Sequence, residues 1–457
     1  MSGIMLLVIF FIAIIAMIFL ISKLKVHPFL AIMSIAVIMA IVVGIPINEI
    51  PKVIGEGFSG TFSSIGIVII LGALIGNILE KTGAAMKLAD MVINLVGEKR
   101  PEVAIMIMGW IVSIPVFCDS GFVILNPIRK AMAKKTHTSS VAMTVALAAG
   151  LYATHVYVPP TPGPIAAAGA LGVGDNLLTV IILGVIVSIP GLMLAYFFAK
   201  KVGKTIKSSD EIDDGEVLQD YKDIMKGQEL PSGGLSIAPI IVPIILMAIA
   251  SIVSMTKMEG GLAEVLRFTG NPVIALAFGL IFAIILLKST KNMNIFNEIT
   301  EDTLKIVGPI LFVTGAGGVL GKVISSAGFV EYIEQNAAVI SKFGIFFPFI
   351  ISAVLKTAQG SSTVAITTTA AIMGSYSDPG SMMSALGMTN SMTAVLVVMA
   401  IGAGAMTVSH ANDSYFWVVT NMGGLKAEDG YKTQTPMTLI MGLAGIVTVF
   451  ILNLILV

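Results

Sequence analysis

Apolar runs of about 18 residues or more follow one another along almost the whole chain, each long enough to cross a hydrocarbon core of about 30 Å. The first three fall at about 4–22, 28–44 and 62–79, with turns at 23–27 and 46–51 between them. Residues 101–132 depart from this pattern. Positive charge bounds the segment at both ends (Lys99, Arg100; Arg129, Lys130, Lys134, Lys135), and Pro115 and the Cys-Asp-Ser-Gly run at 118–121 interrupt its middle. Each limb has about 15 residues, or roughly 23 Å of helix, too short for a crossing. A helical hairpin that enters and leaves on one side fits better, its irregular backbone covered by protein or by a water-filled cavity. Residues 138–172 then read as a broken span, because four prolines within 159–164 cannot continue a helix. A whole span at 177–199 ends the first half.

After a polar stretch at 203–235, read as a solvated cytoplasmic linker, the plan repeats. Spans are predicted at about 237–255, 272–288 and 304–324, a second hairpin at about 343–377, a second broken span at 382–420 and a last span at 435–457. At an offset of 245, Gly72, Gly76 and Gly83 fall on Gly317, Gly321 and Gly328; at 241, Ser120 falls on Ser361; at 255, Thr154-His155 falls on Ser409-His410. The predicted fold class is therefore an all-α polytopic membrane protein built from two inverted repeats, residues 1–202 and 236–457. Each repeat has five spans and one re-entrant hairpin, and the odd number of crossings inverts the second. Repeats of this kind with paired broken helices are the architecture of secondary transporters. With both termini outside, the inner segments 23–27, 81–100, 129–135, 200–226, 288–305 and 426–432 hold 21 of the 27 lysines and arginines, the bias expected of cytoplasmic loops.

Composition narrows the class further. Of 457 residues, 56% are hydrophobic and only 12% charged, with a mean hydropathy of +0.97. Soluble domains carry roughly twice that charge, so most of the surface meets lipid. Net charge is zero and no basic tail is present, so nothing points to nucleic acid. The single cysteine, Cys118, excludes an intrachain disulfide. No G-x-x-x-x-G-K-[ST], H-E-x-x-H or G-x-S-x-G run occurs, so neither ATP-driven pumping nor hydrolysis has a motif behind it, and no cofactor is expected.

The chemistry concentrates at the four breaks, 118–121, 155–164, 359–363 and 409–414. Where a helix restarts, its first N–H groups lack partners and carry partial positive charge, so such ends bind carboxylates. Ser120, Gly121 and Gln359, Gly360, Ser361, Ser362, Thr363 occupy two restarts and are the expected carboxylate seats, although Ser and Thr there also serve as simple caps. Gly163 allows close backbone approach, and Thr161 and Asn412 are placed to read substrate hydroxyls. Lys356 stands in an otherwise uncharged limb. It can offset a substrate carboxylate, pair with Asp119 or Asp413, or snorkel to an interface. Asp119 and Asp413, whose burial favours proton uptake, and His155 and His410, which titrate near neutral pH, are the candidates for proton coupling; simple packing is the alternative for either histidine. They lack ligand spacing, so no metal site is expected. Tyr415 and Trp417 are read as markers of the inner interface.

Four stretches in order, Pro-Val-Phe-Cys-Asp-Ser-Gly-Phe-Val at 115–123, Val-Pro-Pro-Thr-Pro-Gly-Pro at 158–164, Ala-Gln-Gly-Ser-Ser-Thr-Val-Ala at 358–365 and Ser-His-Ala-Asn-Asp-Ser at 409–414, resemble the gluconate permease family. The resemblance spans essentially the whole chain. It implies a proton symporter of the cell membrane for gluconate or a related hydroxy or sugar acid, working by alternating access as an elevator-like homodimer. Hairpins and broken spans would form the moving part, and the spans around 4–45, 177–199, 237–288 and 435–457 the scaffold. The family pattern has histidine where this chain has Thr161, which brings a smaller acid such as glycerate into view. The rivals are a sodium-coupled carrier of a dicarboxylate or amino acid such as D-serine, and a passive anion channel.

Overall fold

The computed structural model describes residues 3–97, 100–211, 230–256, 258–327, 344–411 and 413–457; Asn412 and most of the predicted linker, 212–229, lie outside them. All regular structure among the described residues is helical. Among the described residues, six helices are long and apolar enough to cross a membrane, or seven if one sharply bent pair counts as a single span. The protein is thus an all-α polytopic membrane protein.

The first half comprises α1 (Gly3–Ser22), α2 (Pro28–Val42), α3 (Ile50–Thr61), α4 (Ile67–Lys81) and α5 (Ala84–Val96). The hairpin α6 (Pro101–Val112) and α7 (Cys118–Lys135) follows, then the broken pair α8 (Ser140–Tyr157) and α9 (Pro162–Ala170), and α10 (Leu177–Val202). The second half again runs from single helices to a hairpin and a broken pair. It has α11 (Gly233–Met255), α12 (Gly261–Thr269), α13 (Pro272–Ser289) and α14 (Phe296–Ser326). Its hairpin is α15 (Phe346–Gln359) and α16 (Ser362–Met373); after the short α17 (Met382–Ala385) come the broken pair α18 (Ser391–Met406) and α19 (Ser414–Met422), and α20 (Ala427–Leu456).

Several boundaries differ from the hydropathy reading, each for a physical reason. The third span starts at Ile50 rather than 62. Pro51 sits in the first turn, where its missing N–H is no loss, and a π-helical turn at Phe62–Gly66 carries the helix on into α4. Shifted by 245, residues 50–81 become 295–326, matching the long α14. The two long helices pack together so closely that a Cβ on Gly57 would lie 2.7 Å from the Gly318 carbonyl oxygen. Residues 81–100, expected to be a loop, contain α5, which bends 73° away from α4. Its small residues Ala84, Ala85 and Ala89 are buried while Leu95 is exposed, an amphipathic helix too short for a span test to find. Residues 261–269, between two predicted spans, form α12.

The breaks do not fall where they were expected. Residues 118–121 are already helical, the interruption being 113–117, because Pro115 stops α6 and Asp119 suits the first turn of α7. His155 likewise belongs to α8, and the prolines leave only 158–161 outside helix, with Pro162 tolerated as the first residue of α9.

α8 is buried along its whole length, and nearly all of α18 is too. Glycines let the hairpins approach them. A Cβ on Gly150 of α8 would lie 2.1 Å from the Met106 carbonyl oxygen of α6, and one on Gly404 of α18 would lie 2.3 Å from that of Phe349 in α15. In both halves, then, the first limb of a hairpin lies flush on the first half of a broken helix, which brings the irregular ends of the two together.

Candidate functional site

The second hairpin turns at Gly360, whose φ of +90° lies in the left-handed region that favours glycine. Ser361 caps α16, its Oγ accepting from the Val364 N–H at 3.3 Å. The start of α16 borders a cavity of about 270 Å³. Gly360, Ser361, Ser362 and Thr363 line one side of it; Asp119 and His155, with Phe117, Tyr152 and Tyr415, are among the residues lining the rest.

Lys356 lies behind this cavity and is fully buried. Its Nζ meets Asp413 Oδ2 at 2.6 Å and donates to the Gly360 carbonyl, so it both ties the hairpin tip and neutralises an aspartate of the second broken helix. Of the three readings open for Lys356, the structure selects the Asp413 pair. Asp413 is fully engaged: Oδ2 also accepts from Ser409 Oγ at 2.5 Å, while Oδ1 caps α19 through the Tyr415 N–H at 3.0 Å. Such saturation is what a buried ion pair requires, since attraction alone rarely repays desolvation.

Asp119 is different. Its Oδ1 has no hydrogen-bond partner among the described residues, and neither has the buried Nδ1 of His155. The His155 ring sits between Tyr152 and Phe117, with ring centroids at 6.4 and 6.0 Å. Both groups hold bonding capacity that a ligand can take up.

Other predicted residues lie elsewhere. Ser120 lines a separate small cavity with Asn77 and Glu80 of α4. Gly121 and Gly163 serve packing, facing Leu151 and Ile366. The Thr161 hydroxyl is spent on the Val158 carbonyl at 2.7 Å. His410 Nε2 lies 2.9 Å from the Thr357 carbonyl oxygen, away from the residues lining the cavity. Gln359 ends α15, and Asn412 is outside the described residues. Trp417 donates to the Ala411 carbonyl at 2.8 Å, bracing the second break, while Tyr415, read as an interface marker, is buried at the cavity.

Sequence reasoning missed Tyr152. Its hydroxyl lies 2.6 Å from Ser362 Oγ, linking the first broken helix to the start of α16. The signal was present: Tyr152 precedes His155 by three residues, so the two share a helix face.

Paired hairpins and broken helices meeting around a polar cavity in an all-helical membrane protein define a membrane transporter. The GntP family permease model matches residues 5–455, and the chain belongs to that family. It is 36% identical to an uncharacterised permease of Haemophilus influenzae, over 97% of this chain and 91% of that protein. It is 29% identical to a gluconate permease of Bacillus licheniformis, over 97% of this chain and 98% of the other. Its fold is similar to the solved structure of Neisseria gonorrhoeae MtrF, an antimetabolite efflux pump, with a TM-score of 0.64 at 14% identity, covering 95% of this chain and 96% of that one.

Proposed function

We propose that the protein is a proton-coupled symporter importing gluconate or a related small hydroxy or sugar acid by an alternating-access, elevator-like movement. The observation that carries this reading is one cavity holding a capped helix start, at Ser361–Thr363, together with the unpartnered atoms of Asp119 and His155. The helix start offers a carboxylate N–H groups and a favourable dipole, and the surrounding hydroxyls suit a polyol chain. Family membership supports the sugar acid, since relatives within it are gluconate permeases.

In this reading residues 1–202 and 236–457 are the two inverted repeats, and both termini face outside the cell membrane. The hairpins and broken helices move against the remaining spans, and two copies associate through those spans. The Lys356–Asp413 pair travels as a neutral unit, so neither of its charges is left unmatched beside the helix start.

The test is uptake of labelled gluconate and glycerate into proteoliposomes under imposed proton or sodium gradients. The expected result is accumulation driven by the proton gradient alone. Sodium-driven uptake with protons inert would overturn the coupling, and uptake that never exceeds equilibrium would favour a channel.

A further inference from the structure

A carboxylate bound at the start of α16 has to share its cavity with a carboxylate of the protein. Asp119 lines the same cavity as Ser361–Thr363; Ser414 and Cys118 hydrogen-bond its carboxylate, but its Oδ1 has no hydrogen-bond partner among the described residues. The cation behind the cavity, Lys356, cannot offset a second anion because Asp413 already matches it at 2.6 Å. Two carboxylates brought together in one cavity disfavour each other's charged form, so that one tends to take up a proton.

Resting on the symport reading above, we propose that Asp119 is the proton-accepting group, and that its neutralisation is the condition for the anionic substrate to occupy the cavity. The protonated carboxyl then turns from repelling an acceptor into donating a hydrogen bond, to the substrate or to His155 Nδ1. Release of the substrate to the other side restores the anion and lets the proton go.

The groups facing Asp119 favour it over the other ionisable residues. Cys118, its neighbour on α7, has its Sγ 3.7 Å from Asp119 Oδ2 and bears no charge as a thiol. Tyr152 and Tyr415 bring hydroxyls already bound, to Ser362 and to the Ala148 carbonyl. Asp413 is saturated by Lys356, Ser409 and the Tyr415 N–H. Glu80 of α4 faces the separate cavity beside Ser120. His155 lines the cavity with a free Nδ1, but a neutral imidazole does not exclude an anion; its protonation would make coupling optional, whereas Asp119 makes it obligatory.

The experiment is binding of labelled gluconate to purified protein between pH 5 and 9, with calorimetry in two buffers of different ionisation enthalpy to count protons. Wild type is expected to take up one proton per substrate and to lose about tenfold in affinity per pH unit above the Asp119 pKa. Asp119→Asn should flatten the pH profile and abolish the buffer-dependent heat. Asp119→Glu keeps a titratable group and should retain the slope with a shifted midpoint, a positive result that does not depend on the folding of the asparagine variant. A slope and proton uptake that persist in Asp119→Asn, or that vanish in His155→Gln, would overturn the assignment. If the wild type binds neither gluconate nor glycerate at any pH, the sugar-acid reading fails; binding with no proton uptake would instead overturn the proposal for Asp119.

Discussion

Lys356 has no water to solvate it, and its ammonium depends on Asp413 and the Gly360 carbonyl. Removing one member of such a pair leaves an uncompensated buried charge, at a cost of about 3–5 kcal/mol. Lys356→Met and Asp413→Asn are each expected to destabilise the protein by that order. Together they should cost markedly less than the sum of the two losses, as measured by thermal unfolding in detergent. Strict additivity would mean that the two charges do not act as a pair. Tyr152→Phe should leave the fold intact yet weaken substrate binding about fivefold, because the Ser362 hydroxyl loses its partner beside the seat. The lysine was conspicuous in the sequence as a lone charge in an apolar limb. Its partner was not, because Asp119 and Asp413 stand on different elements with no spacing that links either to Lys356.

At the scale of elements, glycine sets how closely helices approach. A methyl on Gly150 or Gly404 would collide with backbone carbonyls of the neighbouring hairpin limb, which cannot move aside as a flexible side chain can. Gly150→Ala and Gly404→Ala should each cost about 1–3 kcal/mol and lower the unfolding temperature. Ala at Gly55, where nothing lies within 4 Å, should leave stability unchanged or slightly raised. The breaks themselves were legible from proline and glycine, but their limits moved by several residues. Capping decides those limits: Ser361 starts α16 and Asp413 starts α19, each through a bond to a backbone N–H that spacing alone does not reveal. α5 and α12 went unread because a span test sees length and apolarity, whereas these helices are short and amphipathic.

Across the whole molecule, the start of the linker is clamped to three elements. The buried Arg129 of α7 binds Asp210 at 2.6 Å, and Lys130 joins it at 2.9 Å. Glu211 accepts from the Ser140 N–H at the head of α8 at 2.7 Å, and Ser208 donates to the Gly423 carbonyl just beyond α19 at 2.7 Å. Partial burial works against the Asp210 anion, but the hydrogen bonds and charges of Lys130 and Arg129 outweigh it and hold its carboxyl below the usual carboxylate range. A depressed folded-state pKa gives stability that is fully present above the unfolded value of about 4 and lost as pH falls through the folded one. Wild type should therefore unfold at higher temperature than Asp210→Asn from neutral pH down to about pH 4, with the difference closing below that. A difference that stays constant to pH 3 would mean that the charge of Asp210 is not what holds the clamp. The sequence marks this stretch only as a solvated linker, since it does not show that Arg129 is buried and in need of an anion.

Hydropathy is enough to dictate a membrane protein of many spans, because the cost of exposing apolar surface to water, or polar backbone to lipid, depends on composition and length alone. Proline and glycine likewise mark where helices break, since their effects on the backbone are local. Matching offsets expose the doubling of the element order, because a repeat is itself a property of sequence. Packing alone decides which of the polar residues at those breaks meet. It joins Lys356 to Asp413 from elements 57 residues apart and brings Tyr152 to Ser362 across 210. It also leaves Asp119 and His155 with bonding capacity in one cavity while turning Ser120, Thr161 and His410 to other work. These are long-range choices, made by how helices fit against one another, and no local pattern of residues encodes them.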